Sequence, residues 1–373
     1  MKLLRVRASN YKNCCNDFTI DFIAKSKKTS EDREYELQEI AEGMYTFETA
    51  AIVGKNASGK TSAIELIECC YSILGEFSLE DKYYSYDNVA LEIIFYYNGY
   101  IYKYTTVLKS DPNLGNKANF ANQHIYQKKY YKSKVKDIYS DNGFNEIVGL
   151  GELPEDTSIV FFVLKKKTVR AVYFNCNGEG VDTYRLLFRA MKTYKISRDT
   201  LGKIVKIFDD KIQSIDMLDE KHFKLIYQDY SKEFSDSELI HMLSSGTTKG
   251  ILLYVFMVVA LENGFDLLID EVENHFHKAL VENMISLFKD KRVNKNNATL
   301  IFTTHYCELL DLFNRQDNVW IAKSDDKIYL KNMYEFYNVR PELLKSRQFY
   351  NNAFDTAVNY ADLVALNMEL MKS

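Results

Sequence analysis

Proline is scarce in this 373-residue chain: there are only three. That argues against long disordered linkers. There are six cysteines, at 14, 15, 69, 70, 176 and 307, and none forms a Cys-x-x-Cys pair. With no disulfide framework and no zinc-ligand spacing, a reducing cytoplasm is the expected location. Neither sign of charge dominates: 48 Lys and Arg face 52 Asp and Glu, for a net charge of −4. The chain is therefore no polycation, and a nucleic-acid contact would need a local basic surface. The opening residues, Met1 to Arg7, lack an apolar signal core. The longest apolar run, Ile251 to Leu261, falls short of the roughly 20 residues a bilayer requires and reads as a buried helix. No internal repeat or low-complexity tract is present, and no acidic cluster or HNH-like pattern suggests a nuclease.

What the chain does have is apolar residues, 46% of the total, with 28 tyrosines and 23 phenylalanines. That is ample for a large core, either one α/β domain with an inserted lobe or two domains. Strand signals open it at 2–9 and 18–24, before a charged stretch at 25–45. A strand, Thr49–Val53, leads into a glycine-containing loop and a helix running to about Leu74, with Gly75 as its C-cap. Two β-rich segments flank Asn98-Gly99, a turn pair with positive φ, and predict a hairpin over 88–108. Further strand-like stretches fall at 124–132 and 158–175, and 181–242 reads as helical.

From 243 the pattern tightens: helix 248–262, strand 265–270, helix 276–290, strand 298–303, helix 306–314 and a hairpin over 318–331. The fold expected is α/β, a P-loop core with a mixed, mostly parallel sheet. Segments 1–75 and 243–335 would form that core, 88–175 an inserted antiparallel β-lobe, 181–242 a helical lobe and 341–373 a helical tail. Apolar residues of that tail, Phe354, Val358, Ala361, Val364, Leu366 and Leu370, recur at helical spacing and are expected to pack on the chain's own core, with docking of a partner as the alternative.

The loop reads Gly54-Lys55-Asn56-Ala57-Ser58-Gly59-Lys60-Thr61, followed by Ser62. It is a complete P-loop in the strand–loop–helix context its chemistry needs. Glycines let the backbone wrap a phosphate, and N–H groups at the helix start face its charge. Lys60 would reach the β- and γ-phosphates and Thr61 would ligate Mg²⁺. The strand Phe265–Ile269 ends in Asp270-Glu271, a Walker B pattern. There Asp270 would hold Mg²⁺ and Glu271 could polarise a water as general base. Taken alone, two acids could end any buried strand. Leu243-Ser244-Ser245-Gly246-Thr247 opens a long apolar helix, as a second anion site or as an ordinary serine cap. Leu300–Thr303 ends in Thr304-His305, where the histidine could polarise a γ-phosphate or merely cap the strand. All four motifs fall at strand C-termini or helix N-termini, where α/β sheets bind ligands.

With these motifs in order, the chain resembles ABC-class ATPases of the SMC, RecF and OLD kind over nearly its whole length. It is closest to compact bacterial ATP-binding proteins of abortive-infection and related anti-phage systems. Ser9–Asn13 is similar to the Asn-Phe-Lys-Ser stretch near the start of such heads and makes Lys12 a candidate nucleotide contact. Ser244-Ser245-Gly246 resembles their ABC signature, with one extra threonine before Lys249. Asp270–His277 resembles their Asp-Glu-x-Glu-x-x-Leu-His segment, with Lys278 where a proline is usual. Thr303-Thr304-His305 resembles the switch histidine. The Q-loop glutamine is not placed: Gln123 and Gln127 are candidates by position only.

The resemblance implies ATP and Mg²⁺ as cofactors, sandwiched between two heads of a head-to-tail homodimer. Lys60 and Thr61 of one copy would face Ser244 and Gly246 of the other, and Glu271, His305 and Lys60 would be catalytic. The gap from Gly54 to Leu243 is much longer than in transporter ATPases and holds no sustained heptads, so a compact head is expected. The stretch after His305 leaves little room for a Toprim nuclease domain. The implied role is a sensor or regulator of a separately encoded effector, a Toprim-type nuclease or a toxin. A RecF-like repair ATPase and an ATP-binding scaffold of little turnover are the alternatives. Basic stretches at 127–136 and 165–170 could track DNA or RNA, or form solvated strand faces. His275 and His277 flank Phe276 without a recognisable third metal ligand, which favours a structural role.

Overall fold

The computed structural model describes residues 1–80, 86–110, 117–175, 183–219, 221–274, 276–337, 339–340, 343–354 and 360–371. The core sheet takes β5 (Thr49–Val53), β10 (Ala171–Asn175), β14 (Asp266–Asp270), β15 (Leu300–Thr304), β16 (Val319–Ser324) and β17 (Ile328–Asn332). Their order is β10-β14-β15-β5-β16-β17, parallel except for the antiparallel edge β17. β5, β14 and β15 are buried at every position, as strands covered on both faces must be.

Alternate residues feed two separate cores. Ala51, Val53, Leu267, Ile269 and Phe302 enter one with α4 (Thr183–Tyr194), α5 (Arg198–Phe208), α7 (Ser245–Asn263) and α8 (Lys278–Lys289). Ala50, Ile52, Leu268 and Ile301 enter the other with α2 (Lys60–Glu76). Beyond α2 lies an antiparallel sheet of order β2-β1-β6-β7-β8-β9. It comprises β1 (Lys2–Ser9), β2 (Phe18–Asp21), β6 (Ala90–Tyr97), β7 (Tyr100–Ser110), β8 (Ala118–Lys129) and β9 (Asn145–Glu146). The P-loop helix is thus sandwiched between two sheets, which explains buried residues around most of its circumference, Cys69 and Cys70 included.

Sheet membership departs from expectation at both ends of the β-rich segment. β1 and β2, assigned by sequence to the nucleotide core, pair into the antiparallel sheet through β1 and β6. The stretch 158–175 holds α3 (Phe161–Leu164) and then β10, which joins the core sheet beside β14. Period-two alternation says which side chains face a core, not which sheet a strand joins.

The segment 181–242 is not helical throughout. Between α5 and α6 (Asp236–Met242) it forms an antiparallel meander of β11 (Ile212–Met217), β12 (His222–Tyr227) and β13 (Ser231–Ser235). Short apolar runs cannot be told from helix by period alone. α2 ends at Glu76 with Phe77 in the left-handed conformation as its cap, not at Gly75. Gly75 lies inside the helix, where a Cβ would sit 2.9 Å from the Thr168 carbonyl, so it serves close packing instead.

The remaining elements are peripheral. α1 (Ser30–Tyr35) and the hairpin of β3 (Leu37–Ala41) and β4 (Met44–Phe47) precede the P-loop. The stretch expected as a helix at 306–314 is a 3₁₀ turn, Cys307–Leu312. α9 (Met333–Phe336) and α10 (Lys345–Tyr350) follow. In the tail Phe354 is buried against Tyr337 and Phe349, but Val364, Leu366 and Leu370 of α11 (Tyr360–Leu370) are exposed. The expected packing of the whole tail is therefore corrected for those three. Val358 and the Ala361 side chain lie outside the described residues. Among the described residues one helix, α7, is long and apolar enough to cross a membrane, and most of it is buried in the core.

Candidate functional site

β5 delivers the chain to the P-loop at the C-terminal edge of the core sheet. Gly54 admits no side chain: a Cβ there would lie 2.5 Å from both the Ala322 carbonyl and Ser58 Oγ. Ala57 and Gly59 take positive φ, 57° and 93°, which makes the concave run of N–H groups that suits an anion. Ser58 Oγ is buried with no hydrogen-bond partner, a polar atom left over by the protein's own packing.

Lys60, the first residue of α2, is only 5% exposed. Its ammonium donates to the Gly54 and Lys55 carbonyls, each at 3.2 Å, and lies 3.4 Å from His305 Nδ1. Burial lowers its pKa, while the charges of Glu271, Glu273 and Asp270 act the other way. A desolvated cation next to carbonyl dipoles is well placed to take a phosphate.

Thr61 Oγ1 donates to Asp270 Oδ2 at 2.9 Å, joining the start of α2 to the end of β14. Asp270 is 2% exposed, and its other oxygen accepts from Thr303 Oγ1 at 2.6 Å. Burial raises its pKa against those two hydrogen bonds, and the charges of Glu271 and Glu65 raise it further. A hydroxyl and a carboxylate at one point fit Mg²⁺, which binds through one or two carboxylates plus substrate phosphates. Among the described residues no three His, Cys, Asp or Glu side chains form a self-contained metal cage.

Glu271 stands just past the strand with φ 54°. Its N–H donates to Thr303 Oγ1 at 2.7 Å, and its carboxylate accepts from Asn274 Nδ2 at 2.5 Å and lies 3.7 Å from His305 Nε2. His305 therefore sits between Lys60 and Glu271, with its backbone N–H donating to the Glu273 carboxylate.

Lys60, Thr61, Asp270, Glu271 and His305, all singled out by sequence, thus converge. Lys55 and Asn56 are exposed on the loop and Ser62 is half-buried on α2. Lys12 meets Glu65 of α2 in an ion pair beside this group. Among the described residues no hydrogen bond or ion pair joins Ser244, Ser245 or Gly246 to the cluster. Ser244 caps α7 by accepting from Thr247 N at 3.0 Å, and both serines are exposed. Gln123 is structural: it accepts from Tyr104 Oη and Ile159 N within the β-sheet region. His277 caps α8, and His275 lies outside the described residues. Of the basic stretches, Lys128 donates to the Asp137 and Ser140 carbonyls, Lys132 pairs with Glu42 and Arg170 donates to the Leu74 carbonyl.

Sequence reasoning gave no role to Thr303, Glu273 or Asn274. Thr303 opens the Thr-Thr-His run and Glu273 lies inside the Asp-Glu-x-Glu run, but their partners are far away in sequence.

No family model and no curated protein matches the chain. Among solved structures it is similar to an SMC head domain from Thermotoga maritima, at 13% identity and a TM-score of 0.41, over 89% of this chain and 99% of that one. It is also similar to an SMC head bound to the C-winged helix domain of ScpA, at 12% identity and a TM-score of 0.45, over 89% of this chain and 97% of that one.

Proposed function

We propose that the chain is a Mg-ATP-dependent ATPase of the ABC class, with its P-loop as half of a composite site. The observation that carries this is the convergence of Lys60, Thr61, Asp270, Glu271 and His305 at one sheet edge. Lys60 binds the terminal phosphates, and the P-loop N–H groups orient them. Thr61 and Asp270 hold Mg²⁺, which when bound supplies charge neutralisation on the phosphate oxygens. Glu271 accepts the proton of the attacking water. His305 lies within reach of both Lys60 and Glu271 and donates toward the γ-phosphate.

Ser244, Ser245 and Gly246 belong to the partner's site in this reading. The two serines are exposed at the start of a 19-residue helix, which leaves them accessible to a second copy. A head-to-tail pair related by a two-fold axis then closes two equivalent sites. ATP joins the copies and hydrolysis parts them, so the protein works as a switch. We place that switch in anti-phage defence, governing a separate nuclease or toxin. This last step rests on the motif resemblance.

Glu271→Gln tests the reading. In Mg-ATP the variant is expected to double in mass by light scattering and to retain nucleotide through gel filtration. A variant that does neither refutes the sandwich.

A further inference from the structure

The turn after β14 is stitched to the end of β15 at three points. Glu271 N–H donates to Thr303 Oγ1 and Val272 N–H to the Thr303 carbonyl, at 2.7 and 3.1 Å. The third is the Glu273 carboxylate, which accepts from the backbone N–H of His305. The ladder between the two strands ends at Ile269 and Phe302, so residue 305 lies beyond it. The backbone hydrogen bond that fixes it comes from a side chain.

Glu273 is only 7% exposed, and its second oxygen, Oε2, is buried with no hydrogen-bond partner. A buried carboxylate with half its acceptors unused is costly, and an apolar side chain of similar size would suit packing better. The imidazole that hangs from this anchored N–H has both nitrogens engaged, Nδ1 3.4 Å from Lys60 Nζ and Nε2 3.7 Å from Glu271 Oε1. With the Lys60 ammonium at Nδ1, a neutral ring carries its proton on Nε2, the nitrogen nearer the Glu271 carboxylate.

We propose that Glu273 is a positioning residue, whose carboxylate sets the backbone of His305 and thereby the place and tautomer of its imidazole between Lys60 and Glu271. The functional part of this assignment rests on the ATPase reading; the geometric part does not.

The test compares wild type with Glu273→Ala and Glu273→Gln, in steady-state ATP hydrolysis and in ¹⁵N NMR of histidine-labelled protein, with His305→Gln assigning the resonance. In E273A kcat is expected to fall by up to about a hundredfold, the scale of an ångström-sized misplacement, with KM little changed. The His305 ring-nitrogen shifts should move as well. E273Q keeps a carbonyl oxygen for the His305 N–H and should recover most of the rate and the wild-type shifts. If E273A does not fold, Glu273→Met fills the volume without the acceptor and takes its place. Hydrolysis by E273A within twofold of wild type overturns the proposal, as does an equal loss in E273A and E273Q. Wild type that turns over no ATP refutes the ATPase reading instead. The ring-nitrogen shifts then still decide the positioning role, and unchanged shifts in E273A end it.

Discussion

Thr303→Val is the most informative single change at this site. Thr303 is fully buried, and its hydroxyl has two jobs: it donates to Asp270 Oδ1 at 2.6 Å and accepts from Glu271 N–H at 2.7 Å. Valine keeps the shape and loses both. A hydrogen bond to a charged group is worth about 1.5–3 kcal/mol, and a buried N–H left unpaired costs about 1–3 kcal/mol. These terms share one atom, so their sum overcounts, and a loss of about 3 kcal/mol is expected. The deficit should also depend on pH. Burial already holds the Asp270 pKa above its usual 3.8, and the Thr303 hydrogen bond opposes that shift. A carboxyl whose folded pKa lies above its unfolded value disfavours folding once it must ionise. That penalty is absent when pH is below the unfolded pKa and is complete above the folded one. Removing Thr303 Oγ1 raises the folded pKa further and enlarges the penalty at neutral pH. Urea denaturation at pH 7.5 should therefore show the full deficit, shrinking as pH falls toward 4. A variant within about 0.5 kcal/mol of wild type at pH 7.5, the ordinary range of a surface change, would refute the hydrogen-bond geometry.

Lys60→Ala should abolish binding of a fluorescent ATP analogue, and unchanged affinity would remove the P-loop assignment. Because burial lowers the Lys60 pKa, wild-type affinity should begin to fall, as pH rises, at a lower pH than a free lysine near 10.5 would dictate. Gly59→Ala places a methyl group 2.2 Å from Ile328 Cγ2 on a residue held at φ 93°. The left-handed conformation alone costs about 1–2 kcal/mol, so a lowered melting temperature and weakened nucleotide binding are expected together. Arg315 is buried between Asp32 and Asp317, at 3.0 and 2.6 Å, and also bonds Ser26. Arg315→Met strands those carboxylates and should cost about 3–5 kcal/mol in urea denaturation. Arg315→Met with Asp317→Asn should recover part of that loss.

Local backbone chemistry was legible in the sequence. Gly54 and Gly59 are glycines because a carbonyl, a serine hydroxyl and an isoleucine leave no space beside them, and a loop that wraps an anion has few other solutions. Asp270, Glu271 and His305 were legible because each ends an apolar run, and the ends of parallel strands share one edge. What could not be read was long-range pairing. Nothing at 2–9 announces that β1 lies against β6 rather than in the P-loop sheet, and β10 looks from sequence like one more strand of the lobe before it. The meander at 212–235 reads as helix because its strands are short apolar runs, which period alone does not tell from helix. Thr303 and Glu273 escaped notice for a related reason. Each matters through a partner on another strand, and neither residue type is unusual where it stands.

Contact lengths set Lys60 and His305 apart from the groups that support the site. The supports are held short: Thr303 to Asp270 at 2.6 Å and Glu271 N–H to Thr303 at 2.7 Å. Two of the groups proposed to act on ATP are held more loosely: Lys60 to two carbonyls at 3.2 Å each, and His305 at 3.4 Å from Lys60 and 3.7 Å from Glu271. Long contacts cost little to exchange for a phosphate or a water. Short ones to buried charges do not. Stability and function should therefore separate by residue. Replacing Lys60 removes a desolvated cation and should leave the folded protein as stable as wild type or slightly more so, as is usual where function holds a charge in an unfavourable place. Replacing Thr303 should destabilise the fold before ATP is added. If K60A and T303V instead lose stability equally, the site is one tightly coupled network, and no rigid support stands apart from the groups that meet ATP.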